Sequence, residues 1–274
     1  MQYTSGTTPS DSWAAKPLVL VPEPTPPTPP TPDPAGWTDD PDVVLWWDLR
    51  DSGPEVVSRI TGGASLTDTG DIEVTTESYS PDGLNCRHIP DSSTTAQLVG
   101  ENTPRAWTDQ LTEYTIEWWM NWTGNSEGLN SLLPIFTIID SELLNGLYLA
   151  IENKSGAVDN WKISVYGFVD GTPEGSAFDT YKTGYGNGWR HYAIKCTGVD
   201  GYYALYVNGE LVDLSPGITF LPASPALGVP IAYITYNLEG GGIYGDISAL
   251  RMLKRALTDE EVMASYLQCT VSPT

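Results

Sequence analysis

The stretch Trp189–Val212, WRHYAIKCTGVDGYYALYVNGELV, reads as a strand, a turn, a second strand, a two-residue turn and a third strand. The two-residue turn is Asn208-Gly209. A type I′ hairpin needs positive φ at both central residues, and Asn followed by Gly tolerates that best. Ahead of the turn, Tyr203, Leu205 and Val207 alternate with Tyr202, Ala204 and Tyr206, so the strand presents different side chains to its two faces. Downstream, Gly245–Tyr266, GDISALRMLKRALTDEEVMASY, reads as a strand running into a helix. Thr258-Asp-Glu-Glu261 has the form of a capping box: the Thr258 hydroxyl accepts the Glu261 N–H and the Glu261 carboxylate accepts the Thr258 N–H. The three acids also suit the positive end of the helix dipole. Val262, Met263, Tyr266 and Leu267 are expected to pack on the rest of the fold.

Two earlier segments extend the pattern. Val43–Gly53, VVLWWDLRDSG, reads as an opening strand. In Tyr114–Thr123, YTIEWWMNWT, residues Ile116, Trp118, Met120 and Trp122 share one face, while Thr115, Glu117, Trp119 and Asn121 share the other. Taken in order, these four stretches resemble the motifs of the laminin G-like family of concanavalin A-type sandwiches, usually written W-H-H-V-A, L-Y-V-N-G and R-I-Y-N-R-A-L-S-D-E-E-I. The resemblance spans roughly residues 43–267. It implies an all-β fold, a two-sheet antiparallel jelly-roll sandwich, with His191 as a structural strand residue. It also implies glycan or protein ligands, by analogy of fold. One departure stands out: Ser248-Ala249 occupies the place of a common acidic pair, so the resemblance carries no calcium role to these positions.

Composition agrees with that class. The 274 residues include 27 Gly, 22 Pro, 10 Trp and 15 Tyr but only 4 Phe, which suits short strands, tight turns and faces of polar-tipped rings. A formal charge of −22 repels phosphate backbones and anionic lipid, so neither nucleic acid nor membrane insertion is expected. The acids are scattered, as on a self-repelling soluble surface. Ca²⁺ held by grouped carboxylates is the minority reading, with Asp109, Asp140 and Asp246 as unranked candidates. Three cysteines and two histidines without C-x-x-C spacing are not a zinc pattern. Cys196 continues the Tyr192/Ile194 face and reads as core, while a Cys86–Cys269 bridge is left open.

An extended N-terminal arm precedes the sandwich. Residues 22–34, PEPTPPTPPTPDP, hold eight prolines in thirteen positions. At about 3.1 Å per residue in polyproline II geometry, such a run spans roughly 40 Å as a semi-rigid spacer. Before it lie Trp13 and the β-prone run Leu18, Val19, Leu20, Val21, which has nowhere local to pair and reads as an anchor for another chain. The expected organisation is an anchor arm (1–21), a spacer (22–36), the sandwich (37–270) and a short tail (271–274). The opening MQYTSGTTPSDSW shows neither a basic n-region nor an apolar h-region, so no secretory signal is expected. Asn121-Trp-Thr123 and Asn153-Lys-Ser155 match the glycosylation sequon and read as chance.

Catalytic patterns are missing. A glycosidase needs paired carboxylates, and Glu113 and Glu117, four apart beside the aromatic strand, are a poor match for that pair. His88 follows Cys86 at a spacing without diagnostic value. There is no H-E-x-x-H or Walker motif, and Glu239-Gly-Gly-Gly242 is Gly-rich but follows no β-to-helix pattern. Sugar rings stack on aromatic faces, and aromatics in Gly/Asn/Asp-rich loops are better placed for this than those in alternating strands. Trp161, Tyr185, Tyr236 and Tyr244 meet that test. The expectation is therefore a non-enzymatic virion surface protein, a bacteriophage capsid decoration or fibre component. Its arm would bind a capsid or tail protein and its sandwich would touch glycans, with a homo-oligomer matching a symmetric site on the particle. The alternative is a bacterial cell-surface carbohydrate-binding adhesin module.

Overall fold

The computed structural model describes residues 37, 40–61, 63, 65–69, 72–75, 86–90, 97–101, 111–125, 131–140, 145–153, 161–169, 172–174, 178, 188–216, 231–234 and 243–268. The arm, the spacer and the tail lie outside them. Six short strands come first: β1 (Val43–Asp48), β2 (Glu55–Val56), β3 (Leu66–Thr69), β4 (Glu73–Thr75), β5 (Cys86–Ile89) and β6 (Gln97–Glu101). Longer ones follow: β7 (Tyr114–Asn125), β8 (Ser131–Ile139), β9 (Gly146–Asn153) and β10 (Trp161–Val169), then the short β11 (Thr172–Glu174). The chain closes with β12 (Arg190–Cys196), β13 (Tyr202–Val207), β14 (Glu210–Pro216), β15 (Ile231–Ile234), β16 (Ile243–Leu253) and the helix α1 (Asp259–Gln268).

These strands form two antiparallel sheets. The first runs β14-β13-β12-β7-β16-β5-β4, with β1 also paired to β16, and the second runs β11-β10-β9-β8-β15-β6-β3-β2. The alternation in β7 builds the layering. Tyr114, Ile116, Trp118, Met120 and Trp122 enter the core between the sheets, where they meet residues such as Phe136, Leu149 and Trp161. Trp119, on the opposite face, belongs to a second apolar layer with Trp37, Trp46, Trp189 and Val262. Each large ring removed from water contributes roughly 2–3 kcal/mol, which is why one strand rich in Trp can organise both layers.

The Asn208-Gly209 hairpin is present, with φ of 53° at Asn208 and 79° at Gly209, as a type I′ turn requires. The capping box also forms: Thr258 N–H donates to Glu261 Oε2 at 2.7 Å, and Glu261 N–H donates to Thr258 Oγ1 at 3.2 Å. A cap of this kind is worth about 1 kcal/mol. Asp259 adds a brace, accepting from Lys195 Nζ and from the Tyr206 hydroxyl. The helix face differs from its expected composition in one place. Val262 and Ser265 are its buried residues, whereas Leu267 is exposed. Ser265 belongs to the buried face, where its hydroxyl serves a polar cluster beneath the helix.

Candidate functional site

That cluster contains the acid considered as half of a catalytic pair. Glu117 is wholly buried on the outer face of the first sheet. Arg251 Nε donates to Glu117 Oε2 at 2.6 Å, and His191 Nε2 lies 3.3 Å from Glu117 Oε1. Arg251 also donates to Ser265 Oγ, and the same oxygen accepts from Trp37 Nε1 at 2.8 Å. The Trp37 ring covers the guanidinium at 4.4 Å. Burial by itself would raise the Glu117 pKa, but the Arg251 charge and His191 override it and hold the carboxyl at about 2. A permanently ionised carboxylate sealed under an indole and a helix reaches no substrate. Glu117 lines no groove, so it serves to fasten Trp37 and α1 to the sheet. His191, also fully buried, is the structural strand residue expected.

A second region gathers at one end of the sandwich. β7 finishes and β16 begins there, with Asn125 opposite Ile243 and Gly124 opposite Tyr244. In the other sheet Ser131, Asn153 and Trp161 lie in one row, so β8, β9 and β10 share this end. β15 runs towards it, with Ile234 opposite Phe136. Trp122 and Trp161 meet edge to face at 6.2 Å and tie the two sheet ends together. The end of β7, the start of β8, the end of β9 and the starts of β10 and β16 therefore lie at one rim, and Gly188, just before β12, meets β7 at Asn121 on the approach to it.

Of the four nominated aromatics, two lie among the described residues. Trp161 is the first residue of β10 rather than a loop residue, and it is fully buried between Trp122 and Tyr192. It is core and offers no stacking face to solvent. Its phase was readable, because Trp161, Ile163 and Val165 form one apolar alternation. Tyr244 lies in β16 rather than in a loop. Tyr185 and Tyr236 lie outside the described residues.

Polar residues that the sequence reading did not assign to this site hold the rim together. Asn121 Oδ1 accepts the Gly188 N–H at 2.8 Å, and Asn121 Nδ2 donates to Asp246 Oδ2 at 3.0 Å. Asp246 Oδ1 lies 2.8 Å from His88 Nδ1. Burial raises the pKa of Asp246 against the opposing pull of His88 and Asn121. The alternation of β7 was the available signal: Asn121 follows Glu117 and Trp119 on the face turned away from the core. Its amide is committed at both ends.

Two of the calcium candidates have protein partners. Asp246 is held as above, and Asp140 Oδ2 accepts both the backbone and the side-chain N–H of Asn145 at 3.0 Å. Asp109 lies outside the described residues. Among the described residues no group of three or more His, Cys, Asp or Glu is arranged to hold a metal ion. Cys196 sits in the core, where burial pushes its thiol up to about 11. Cys86 is a buried thiol beside Asp246, and Cys269 lies outside the described residues. No helix among the described residues is long and apolar enough to cross a membrane.

Known proteins bear directly on this architecture. A laminin G-type family profile, described as the concanavalin A-like lectin/glucanases superfamily, matches residues 92–263. The chain belongs to this superfamily. A search of curated proteins finds no match to this superfamily member. Its fold is similar to that of the binding domain of botulinum neurotoxin DC in complex with SialylT, with a TM-score of 0.56 at 15% identity over 83% of this chain and 51% of that one. The receptor binding domain of a botulinum neurotoxin C/D mosaic serotype gives 0.55 at 15% identity, over 82% of this chain and 51% of that one. Domain 4 of a GH43 extracellular arabinanase from Geobacillus stearothermophilus, in complex with arabinotriose, gives 0.56 at 13% identity, over 82% of this chain and 98% of that domain. At these identities the likeness concerns the fold. This superfamily member spans about half the length of the toxin chains it matches.

Proposed function

We propose that this chain is a non-enzymatic carbohydrate-binding protein whose ligand site is the rim where β7, β8, β9, β10, β12, β15 and β16 meet. The observation that carries this reading is the convergence of strand ends from both sheets on that rim. Tyr244 is in β16 beside it, Tyr185 precedes Gly188 closely, and Tyr236 belongs to the segment between β15 and β16. Superfamily membership supports it, as do similar folds solved with SialylT and with arabinotriose. The test is an array of immobilised oligosaccharides that includes arabinosyl and sialyl glycans. Wild-type protein is expected to bind a defined subset, and Tyr185→Ala or Tyr244→Ala to weaken that binding by about tenfold or more with little change in melting temperature. Unaltered binding in both variants, or turnover of a glycan, contradicts the reading.

The finer reading is a virion surface protein, a capsid decoration or fibre component, held by residues 1–21 through a capsid or tail protein. Its support is the composition of the arm and the position of the arm's base. Trp37 is clamped beside Arg251, whose Cα partner is Glu117. From Glu117, β7 covers roughly 14 Å to Asn121 and roughly 27 Å to Asn125 at about 3.4 Å per residue, so attachment lies to one side of the ligand site. A second reading is a cell-surface or secreted carbohydrate-binding module of a larger protein, favoured by the near-complete coverage of the arabinanase domain. Pull-downs from the source lysate with the full chain and with residues 37–274 separate the two. Retention of a capsid or tail protein by the full chain alone supports the virion reading, and equal retention of envelope polysaccharide by both supports the module.

A further inference from the structure

We infer that Asn121 is a positioning residue of the rim, a side chain that links the approach to β12 with β16 beside the proposed ligand site. This rests on the carbohydrate-binding reading above. Three observations meet at this residue. Its Oδ1 accepts the Gly188 N–H at 2.8 Å, which sets the end of the segment that contains Tyr185. Its Nδ2 donates to Asp246 Oδ2 at 3.0 Å, which sets the start of β16 two residues after Tyr244. Its backbone carbonyl faces Gly245, where an added Cβ would come within 2.0 Å of the Asn121 oxygen and where φ is +139°. Gly245 is thus required both by its conformation and by this approach.

The surroundings make the arrangement directional. Asp246 is fully buried, and its second oxygen lies 2.8 Å from His88 Nδ1, so the carboxylate is aimed by a neighbour in β5. Trp189, which follows Gly188, is buried in the outer apolar layer. The chain on both sides of the rim is thus held by packing, and Asn121 supplies the polar link between the held ends. A binding surface built on loops gains affinity when the loop roots are preorganised, because less ordering is left to the ligand. Leucine or alanine at position 121 leaves the Gly188 N–H and the buried Asp246 oxygen without their shared partner, and the polar link between the two roots is lost.

The test uses the full chain and two readouts. The first is amide hydrogen exchange at Gly188, compared with the distant hairpin pair Ile194 and Leu205. The second is affinity for the oligosaccharides bound by the wild type on the array. Asn121→Ala is expected to speed exchange at Gly188 by about tenfold or more while the hairpin amides stay protected, and to weaken glycan binding by about tenfold. Asn121→Asp alone sets two carboxylates face to face and is expected to do the same. Combined with Asp246→Asn, it restores the pattern with donor and acceptor exchanged: the new carboxylate accepts from Gly188 and from the new amide, whose oxygen still faces His88. Rescue of both readouts by this exchange is the expected result, and a purely volumetric role for Asn121 does not predict it. Unchanged Gly188 exchange in Asn121→Ala overturns the inference. So does fast exchange with undiminished glycan affinity, which leaves the carbohydrate reading standing. A wild type that binds no oligosaccharide, with Gly188 protected as described, overturns the carbohydrate reading instead.

Discussion

Arg251→Met will lower the unfolding free energy by about 3–5 kcal/mol, because it leaves a buried carboxylate without its counter-charge. Glu117 has no exposure, and Arg251 supplies its 2.6 Å contact, while His191 stands further off at 3.3 Å. The same substitution removes the cation beneath Trp37 and one donor to Ser265. Replacing both partners, Glu117→Leu with Arg251→Met, should recover most of the loss, since an apolar pair in that volume has no charge to desolvate. Urea unfolding at neutral pH measures both variants, and a loss under about 1 kcal/mol in the single variant contradicts the buried pair. Acid makes the same point in the wild type. A carboxyl lowered to about 2 from its ordinary 4.5 contributes stability that is present above about pH 4.5 and is lost as pH falls through about 2. The double variant should lack that component of the acid slope.

Trp161→Ala is expected to cost about 3–5 kcal/mol of stability, as large-to-small changes at fully buried aromatics do. The indole lies edge-on to Trp122 at 6.2 Å and to Tyr192 at 6.0 Å, bridging the sheets just beneath the rim. Its removal leaves a cavity that rigid strands on both sides close poorly. Denaturant midpoints report the loss directly. A midpoint within error of the wild type, with glycan binding abolished, would show that Trp161 is a ligand contact and that its placement in the core is wrong.

The fold was legible because its signals are local. The Asn208-Gly209 turn, the period-two alternation of β7 and the Thr258–Glu261 box each follow from the conformational preferences of a few adjacent residues. The clamp around Arg251 was not legible in that way. It joins residues from four distant stretches, and no spacing rule connects Trp37 to Ser265 or Glu117 to Arg251. The same holds for Asn121, Asp246 and His88, which are neighbours only through strand pairing. Leu267 was misplaced because, five residues after Val262 at 3.6 residues per turn, it falls roughly 140° around the helix from it and off the buried face. Trp161 was misplaced for another reason. The polar residues before it suggested a loop, while the apolar alternation after it already put its ring in phase with the core.

The carbohydrate-binding rim is tested most directly by mapping backbone amide shifts of the full chain during titration with the tightest-binding oligosaccharide from the array. Shifts centred on Asn121, Gly188 and Gly245, with the β13–β14 edge and α1 unchanged, are the predicted result. Shifts centred on exposed Leu211 and Leu214 of β14, or on the outer face around α1, would place the ligand elsewhere and contradict the rim as the site.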